Sequence, residues 1–179
     1  IVGFVAPFLE KKLPEGLNLI VGALAIAPLA RIIAIAVDPV VNSTLLNIGR
    51  MISAAAEQSP LIMGFLLGGI MKMICTSPLS SMALTAMLGL DGLAMGIAAI
   101  ACVGGSFTNG IIFDRLKLGE RSNVMAVMLE PLTQADIITQ NPIPIYGSNF
   151  FGGGLAGLAA AMLGIINNAP GTASPIPGL

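Results

Sequence analysis

The side chains with chemistry to offer in this chain are a few carboxylates, amides and hydroxyls beside prolines in otherwise apolar sequence. Glu130, Gln134, Asp136, Asn141 and Asn149 form one set. Thr76, Ser77, Ser80 and Ser81, gathered around Pro78, form the other. Carboxylates and amides are the groups that hydrogen-bond a polar solute, and a broken helix adds its own freed backbone groups. Pro131 frees backbone beside Glu130, which makes Glu130 the foremost candidate. Its competing role is a structural ion pair with Lys72 or Arg31, and the competing role of the Thr76–Ser81 knot is a helix cap and turn. Asp91 reads as a turn or cap residue.

The stretch from Leu61 to Phe113 must position these groups. Its apolar pieces are interrupted at Thr76-Ser77-Pro78-Leu79-Ser80-Ser81 and at Gly89-Leu90-Asp91-Gly92. Proline-broken, hydroxyl-rich backbone is tolerated at membrane depth only where it is buried in protein or lines a watery cavity. Discontinuous segments of this kind point to a solute site in a transporter.

Composition agrees with a lipid environment. Of 179 residues, 55% are hydrophobic and only 9% charged, and the mean hydropathy is +0.92, whereas soluble chains carry about 25% charged residues. A net charge of −1, no tryptophan and a single tyrosine exclude nucleic-acid binding. Cys75 and Cys102 match no metal-binding spacing, and without histidine no metal or haem site is expected. Both cysteines read as buried hydrophobic thiols. No phosphate-binding glycine loop or nucleophile elbow is present, so no soluble enzyme and no cofactor is expected.

In chain order, Ile1–Leu9 reads as the tail of an earlier helix and Glu10–Gly16 as a charged turn. Leu19–Val37 approaches the roughly 20 residues needed to span. It carries Arg31, which must face the bundle, a lumen or a carboxylate, or snorkel to an interface. Asp38-Pro39 is expected to close that helix, with Asn42-Ser43-Thr44 capping an interfacial segment, Leu45–Ala56. Leu61 opens a half-helix ending at the Thr76-Ser77-Pro78 knot, and Ser80-Ser81 should cap Met82–Leu88. Gly64 and Gly68, Gly92 and Gly96, and Gly153 and Gly157 each have the spacing of a helix-packing face. Leu93–Phe113 has spanning length, and the charged stretch Asp114–Asn123 is a solvent loop whose basic residues favour a cytoplasmic face. Val124–Ile138 is short and apolar. Asn141–Asn149 is predicted to be non-helical because of Pro142 and Pro144, with a helix over Phe150–Ile166 and a polar, proline-bearing knot after it. The expected architecture is an all-α integral membrane protein, a single transmembrane domain over residues 1–179 with broken or re-entrant helices. Beginning at Ile1 and ending at Gly178-Leu179, it reads as part of a longer protein.

The phrase from Gln58 to Ala94 resembles the membrane domain of the phosphotransferase-system sugar permease (IIC) family, in the branch that also contains PfoR-type regulators. The resemblance is carried by Ser59-Pro60 with Met63-Gly64, by Thr76–Ser81, by Leu88-Gly89-Leu90 and by Gly92-Leu93-Ala94. Leu46-Asn47-Ile48-Gly49, Asn141-Pro142 and the Asn167–Thr172 region support it. It implies a multi-helix, dimeric protein of the bacterial inner membrane, of which these residues are the later half. It further implies contact with membrane lipids, a sugar-like solute and a IIB phosphoryl-donor subunit. Glu130 would then polarise the solute hydroxyl that accepts the phosphoryl group, as a general base. Sugar IIC domains place a histidine and a glutamate near the sugar, and this chain has no histidine and no IIB-like phosphocysteine loop. A membrane regulator without coupled transport and an ion- or proton-driven carrier are the alternative functions.

Overall fold

Prolines, glycines and hydroxyl caps decide where the helices of this chain begin and end. The computed structural model describes residues 17–176, so the apolar tail Ile1–Leu9, the charged turn Glu10–Gly16 and the final Gly178-Leu179 lie outside the described residues. Helix α1 spans Leu17–Gln58. Helix α2, Pro60–Thr76, starts with proline at the position where a helix has no use for an N–H. It ends at Ser77, whose N–H reaches the carbonyls of Ile74 and Met73, both at 3.0 Å. Helix α3, Ser81–Leu88, is capped by Ser80, which accepts from the Ala83 N–H at 3.1 Å. It stops at Gly89, whose φ of 60° is left-handed. Helix α4 spans Gly92–Arg115 and α5 Arg121–Leu129, the latter closed by reciprocal bonds between Glu120 and Asn123. A 3-10 turn, Pro131–Gln134, leads to α6, Ala135–Gln140, and α7, Pro142–Met162. No β-strand occurs among the described residues.

The chain divides at Thr44 and Leu45 into two compact units. The described part of the first is helix, with exposed Leu24, Ile32 and Ile35. In the second, α2 and α4 run parallel. Gly68 meets Ala101, Lys72 meets Gly105 and Thr76 meets Asn109, every pair 33 residues apart. Helix α7 runs antiparallel to both. A methyl group on Gly68 would lie 2.6 Å from the carbonyl oxygen of Gly153, and one on Gly64 would lie 2.9 Å from that of Gly157. The two expected glycine faces therefore pack on each other, backbone against backbone. Phe65 stands edge-on to Phe150 at 5.6 Å beside this contact. Met71, Met95, Ile97, Ala98 and Cys102 fill the core.

Two parallel neighbours require a return. The constant offset places the start of α4 beside the start of α2, so Ser77–Asp91 must travel back along a helix of 17 residues, roughly 25 Å at about 1.5 Å per residue. The eight residues of α3 supply about 12 Å, and extended residues on either side supply the rest at about 3.3 Å each. A second non-helical segment accompanies this return. Asn167 N–H donates to the Gly92 carbonyl at 2.9 Å, and Ser81 Oγ donates to the Ala173 carbonyl at 2.6 Å. Residues 167–173 thus run antiparallel to residues 81–92.

Burial is inverted relative to a water-soluble fold. Lys72, Thr76, Ser81, Thr85, Asn109 and Asn149 are buried, while Ile62 (65% exposed), Phe151 (63%) and Ile143 (86%) face outward. Such a surface is matched to a lipid solvent. Ala30–Gln58 and Gly92–Arg115 are long and apolar enough to cross a membrane.

Four features differ from expectation. Asp38-Pro39 does not end a helix: α1 continues through Pro28 and Pro39 to Gln58. Ser43 and Thr44, expected as caps, donate instead to the Val40 carbonyl at 3.1 and 2.8 Å, inside the helix. Asn141–Asn149 is not a break, because Pro142 and Pro144 both fall in the first turn of α7, where their missing N–H groups have no helical acceptor to satisfy. Finally, Gly92 does not pack against another helix. It adopts φ 57° with open space around it, and only Gly96 makes a close approach, to Ile165.

Candidate solute site

The break between α2 and α3 forms one wall of a small, partly open pocket. Cys75 from the last turn of α2, Leu79, Ser80, Ser81 and Met82 from the knot, Glu130 and Leu132 from the α5 exit, and Ser174 line a volume of about 60 Å³. Every feature of this wall has a local cause. Ser77 turns its hydroxyl back to the Ile74 carbonyl at 2.7 Å and accepts the Leu79 N–H at 3.2 Å, which folds the chain away from the α2 axis. Ser80 caps α3, whose amino end faces the cavity. Ser81 ties the knot to the C-terminal segment through Ala173. Glu130 ends α5 because Pro131 follows it. One of its carboxylate oxygens accepts the Leu132 N–H at 3.4 Å. A helix carboxyl end, a helix amino end, hydroxyls and a carboxylate thus converge on one volume, the arrangement with which broken helices hold polar solutes.

A second polar layer lies behind it. Asn109 of α4 donates to Thr76 Oγ1 at 3.3 Å, and Asn149 of α7 donates to Asn109 Oδ1 at 2.6 Å. Asn149 is fully buried and its own Oδ1 has no hydrogen-bond partner. One helical turn away, Lys72 threads between α4 and α7. Methyl groups at Gly105 and Gly153 would collide with its stem, and its ammonium donates to the Cys102 carbonyl at 3.3 Å. That partner is backbone, not the carboxylate of Glu130. Cys75 and Cys102 are buried free thiols. Among the described residues no group of three or more His, Cys, Asp or Glu is placed to hold a metal.

The structure brings Ser80, Ser81 and Glu130 to the cavity, and Thr76 and Asn149 to the layer behind it. Ser77 shapes the turn. The remaining candidates stand apart. Gln134 is buried but occupied, accepting from Asn123 at 2.6 Å. Asp136 is exposed in the first turn of α6, and Asn141 donates to the Ile137 carbonyl at 3.1 Å. Sequence reasoning offers Lys72 only as an ion-pair partner of Glu130 and does not single out Asn109 or Ser174. For Lys72 and Asn109 a signal existed: each is a polar residue inside an apolar helix, spaced four from a partner on the same face (Lys72 with Thr76, Asn109 with Gly105).

An all-helical arrangement of the described residues, with apolar side chains outward, polar ones buried and a helix broken beside a pocket, is what an integral membrane protein presents. The family comparison gives the particular case. A model of the phosphotransferase system EIIC family matches residues 1–179, and the chain belongs to that family. No curated protein and no solved structure matches it.

Proposed function

We propose that this chain moves a sugar or sugar-like polar solute across the bacterial inner membrane, and that the solute's hydroxyls bind where the α2–α3 break meets Glu130. The observation that carries this reading is the cavity itself. It joins three of the residues singled out for solute chemistry, drawn from parts of the sequence about fifty residues apart. Ligand pockets occupy about 300–1,000 Å³, far more than the 60 Å³ here, so the proposal requires the pocket to widen around a bound solute. Family membership supports coupling to a IIB phosphoryl donor, with Glu130 as general base at the accepting hydroxyl. It also supports a homodimer.

Thermal stability of the full-length protein in detergent, against sugars, sugar acids, polyols and nucleosides, tests the proposal. A ligand at 100 times its dissociation constant adds about 2.7 kcal/mol. A stabilising solute whose effect disappears in Glu130→Gln and in Ser81→Ala supports the site. A solute whose effect survives both substitutions moves it elsewhere. Silence across the panel in a well-folded protein removes sugar binding and favours a membrane regulator. Dependence of uptake on phosphoenolpyruvate separates phosphoryl coupling from an ion gradient.

A further inference from the structure

Helices α4 and α5 carry between them a groove that shares no residue with the solute pocket. Phe107 and Met128 line two adjoining hollows, which makes them one passage. The smaller hollow, about 130 Å³, runs past Val103 and Leu129 to Ile176. The larger, about 430 Å³, continues past Ile111 and ends at Asp114 and Arg115, where α4 stops. Gly110 lies beneath it, and a methyl group there would collide with the Met128 side chain. From Val103 to Asp114 the groove follows α4 for roughly 17 Å at about 1.5 Å per residue. One leaflet of a hydrocarbon core is about 15 Å deep. Phe107, Ile111 and Leu129 on its walls are exposed, so its apolar length is open to lipid.

The charges at its end say which lipid. Asp114 and Arg115 both line the groove and both are exposed. Successive residues of a helix do not face each other, so the two flank the groove as separate charges. A purely anionic headgroup meets Arg115 but is repelled by Asp114. A headgroup with one phosphate and one primary ammonium answers both. The guanidinium forks onto phosphate oxygens, and the ammonium donates to the carboxylate. We propose that this groove binds one aminophospholipid of the phosphatidylethanolamine type. An acyl chain lies between α4 and α5, the phosphate rests on Arg115 and the ammonium on Asp114. The lipid site stands whether or not the solute binds at the α2–α3 break.

Full-length protein in detergent provides the test, with dioleoyl phosphatidylethanolamine, phosphatidylcholine and phosphatidylglycerol as probes that share acyl chains and differ in headgroup. Retention of each lipid is read by native mass spectrometry, and its stabilising effect by the shift in melting temperature. The wild type should retain phosphatidylethanolamine about fivefold better than either of the others. Phosphatidylcholine carries the same charges without an ammonium N–H to donate, and phosphatidylglycerol carries no cation. Asp114→Asn should abolish the preference for phosphatidylethanolamine over phosphatidylglycerol. Arg115→Gln should weaken both of these lipids by about fivefold. Both substitutions are at exposed positions, where folding should survive them. Equal retention of all three lipids overturns the proposal, since the groove then reads no headgroup. A preference for phosphatidylglycerol overturns it too. That result would mean that Lys117 and Arg121, which border a separate hollow with Asp114, neutralise the carboxylate. Retention of no lipid by the folded protein also overturns it and leaves another protein segment as what covers the groove.

Discussion

The stem of Lys72 passes so close to Gly105 that a methyl group there would lie 2.5 Å from its Cγ and Cδ. Glycine at 105 is therefore a consequence of lysine at 72, and the two positions should be coupled. Gly105→Ala is expected to destabilise the protein by about 1–3 kcal/mol through overpacking. Shortening the lysine in Lys72→Ala/Gly105→Ala should recover much of that loss. Thermal unfolding of the four proteins of this double-mutant cycle in detergent measures the coupling, and additive effects would show that the contact is relieved without cost.

The packing of α2 on α7 predicts a contrast between two glycines. Gly68→Ala sets a methyl 2.6 Å from the Gly153 carbonyl, which the α7 backbone cannot yield without moving. A loss of about 1–3 kcal/mol is expected. Gly147 has nothing within 4 Å of a new methyl group and lies inside α7. There alanine should stabilise by about 0.5–1 kcal/mol, since glycine is the poorer helix former. Melting temperatures moving in opposite directions would confirm the close approach.

Ser81 joins the return segment to the C-terminal segment through one bond to the Ala173 carbonyl at 2.6 Å. Ser81→Ala leaves a buried carbonyl without its donor and should cost about 1–3 kcal/mol. The loss should appear locally, as faster hydrogen exchange and proteolysis over residues 167–176. Ser80→Gly retains most of the helix cap and should cost only a few tenths of a kcal/mol. Uniform destabilisation in both variants would argue against a specific clasp.

The cysteines give a direct report on the cavity. Cys75 lines it and Cys102 lies behind, donating to the Met71 carbonyl at 3.9 Å. A small water-soluble thiol reagent should therefore label Cys75 when the cavity opens, and Cys102 should stay protected. Labelling of Cys75→Ser and Cys102→Ser variants separates the two sites. A bound solute should slow the reaction at Cys75. Preferential labelling of Cys102 would place the aqueous path elsewhere.

Much of the architecture is written locally, in residues whose effects reach only a turn or two. Ser77 and Pro78 end α2, Ser80 starts α3, and Gly89 stops it by adopting a left-handed conformation. Each is legible in sequence because capping and φ restriction act within a few residues. The same logic misleads where position in the helix matters more than residue type. Proline's usual effect predicts that Pro142 and Pro144 break a helix, yet they begin one, and that Pro39 ends a helix that in fact passes through it. A proline lacks an N–H in every context, but only the tertiary arrangement decides whether an acceptor is waiting for it.

The sequence by itself determined a lipid-soluble, all-helical chain with a break at Thr76–Ser81, glycine faces for close packing and Glu130 among its few polar groups. Composition, caps and spacing suffice for these, being properties of single helices. The tertiary structure alone decided that α2 and α4 run parallel, so that Ser77–Asp91 must travel back beside them. It also decided that Glu130 meets the break while Gln134, Asp136 and Asn141 do not, and that Lys72 lies buried at mid-span between two glycines. These facts depend on which helix faces which, and that is settled by contacts between residues 33 or more positions apart in the chain. No local periodicity encodes such pairings, because each helix presents several faces of similar apolarity and only mutual packing selects among them.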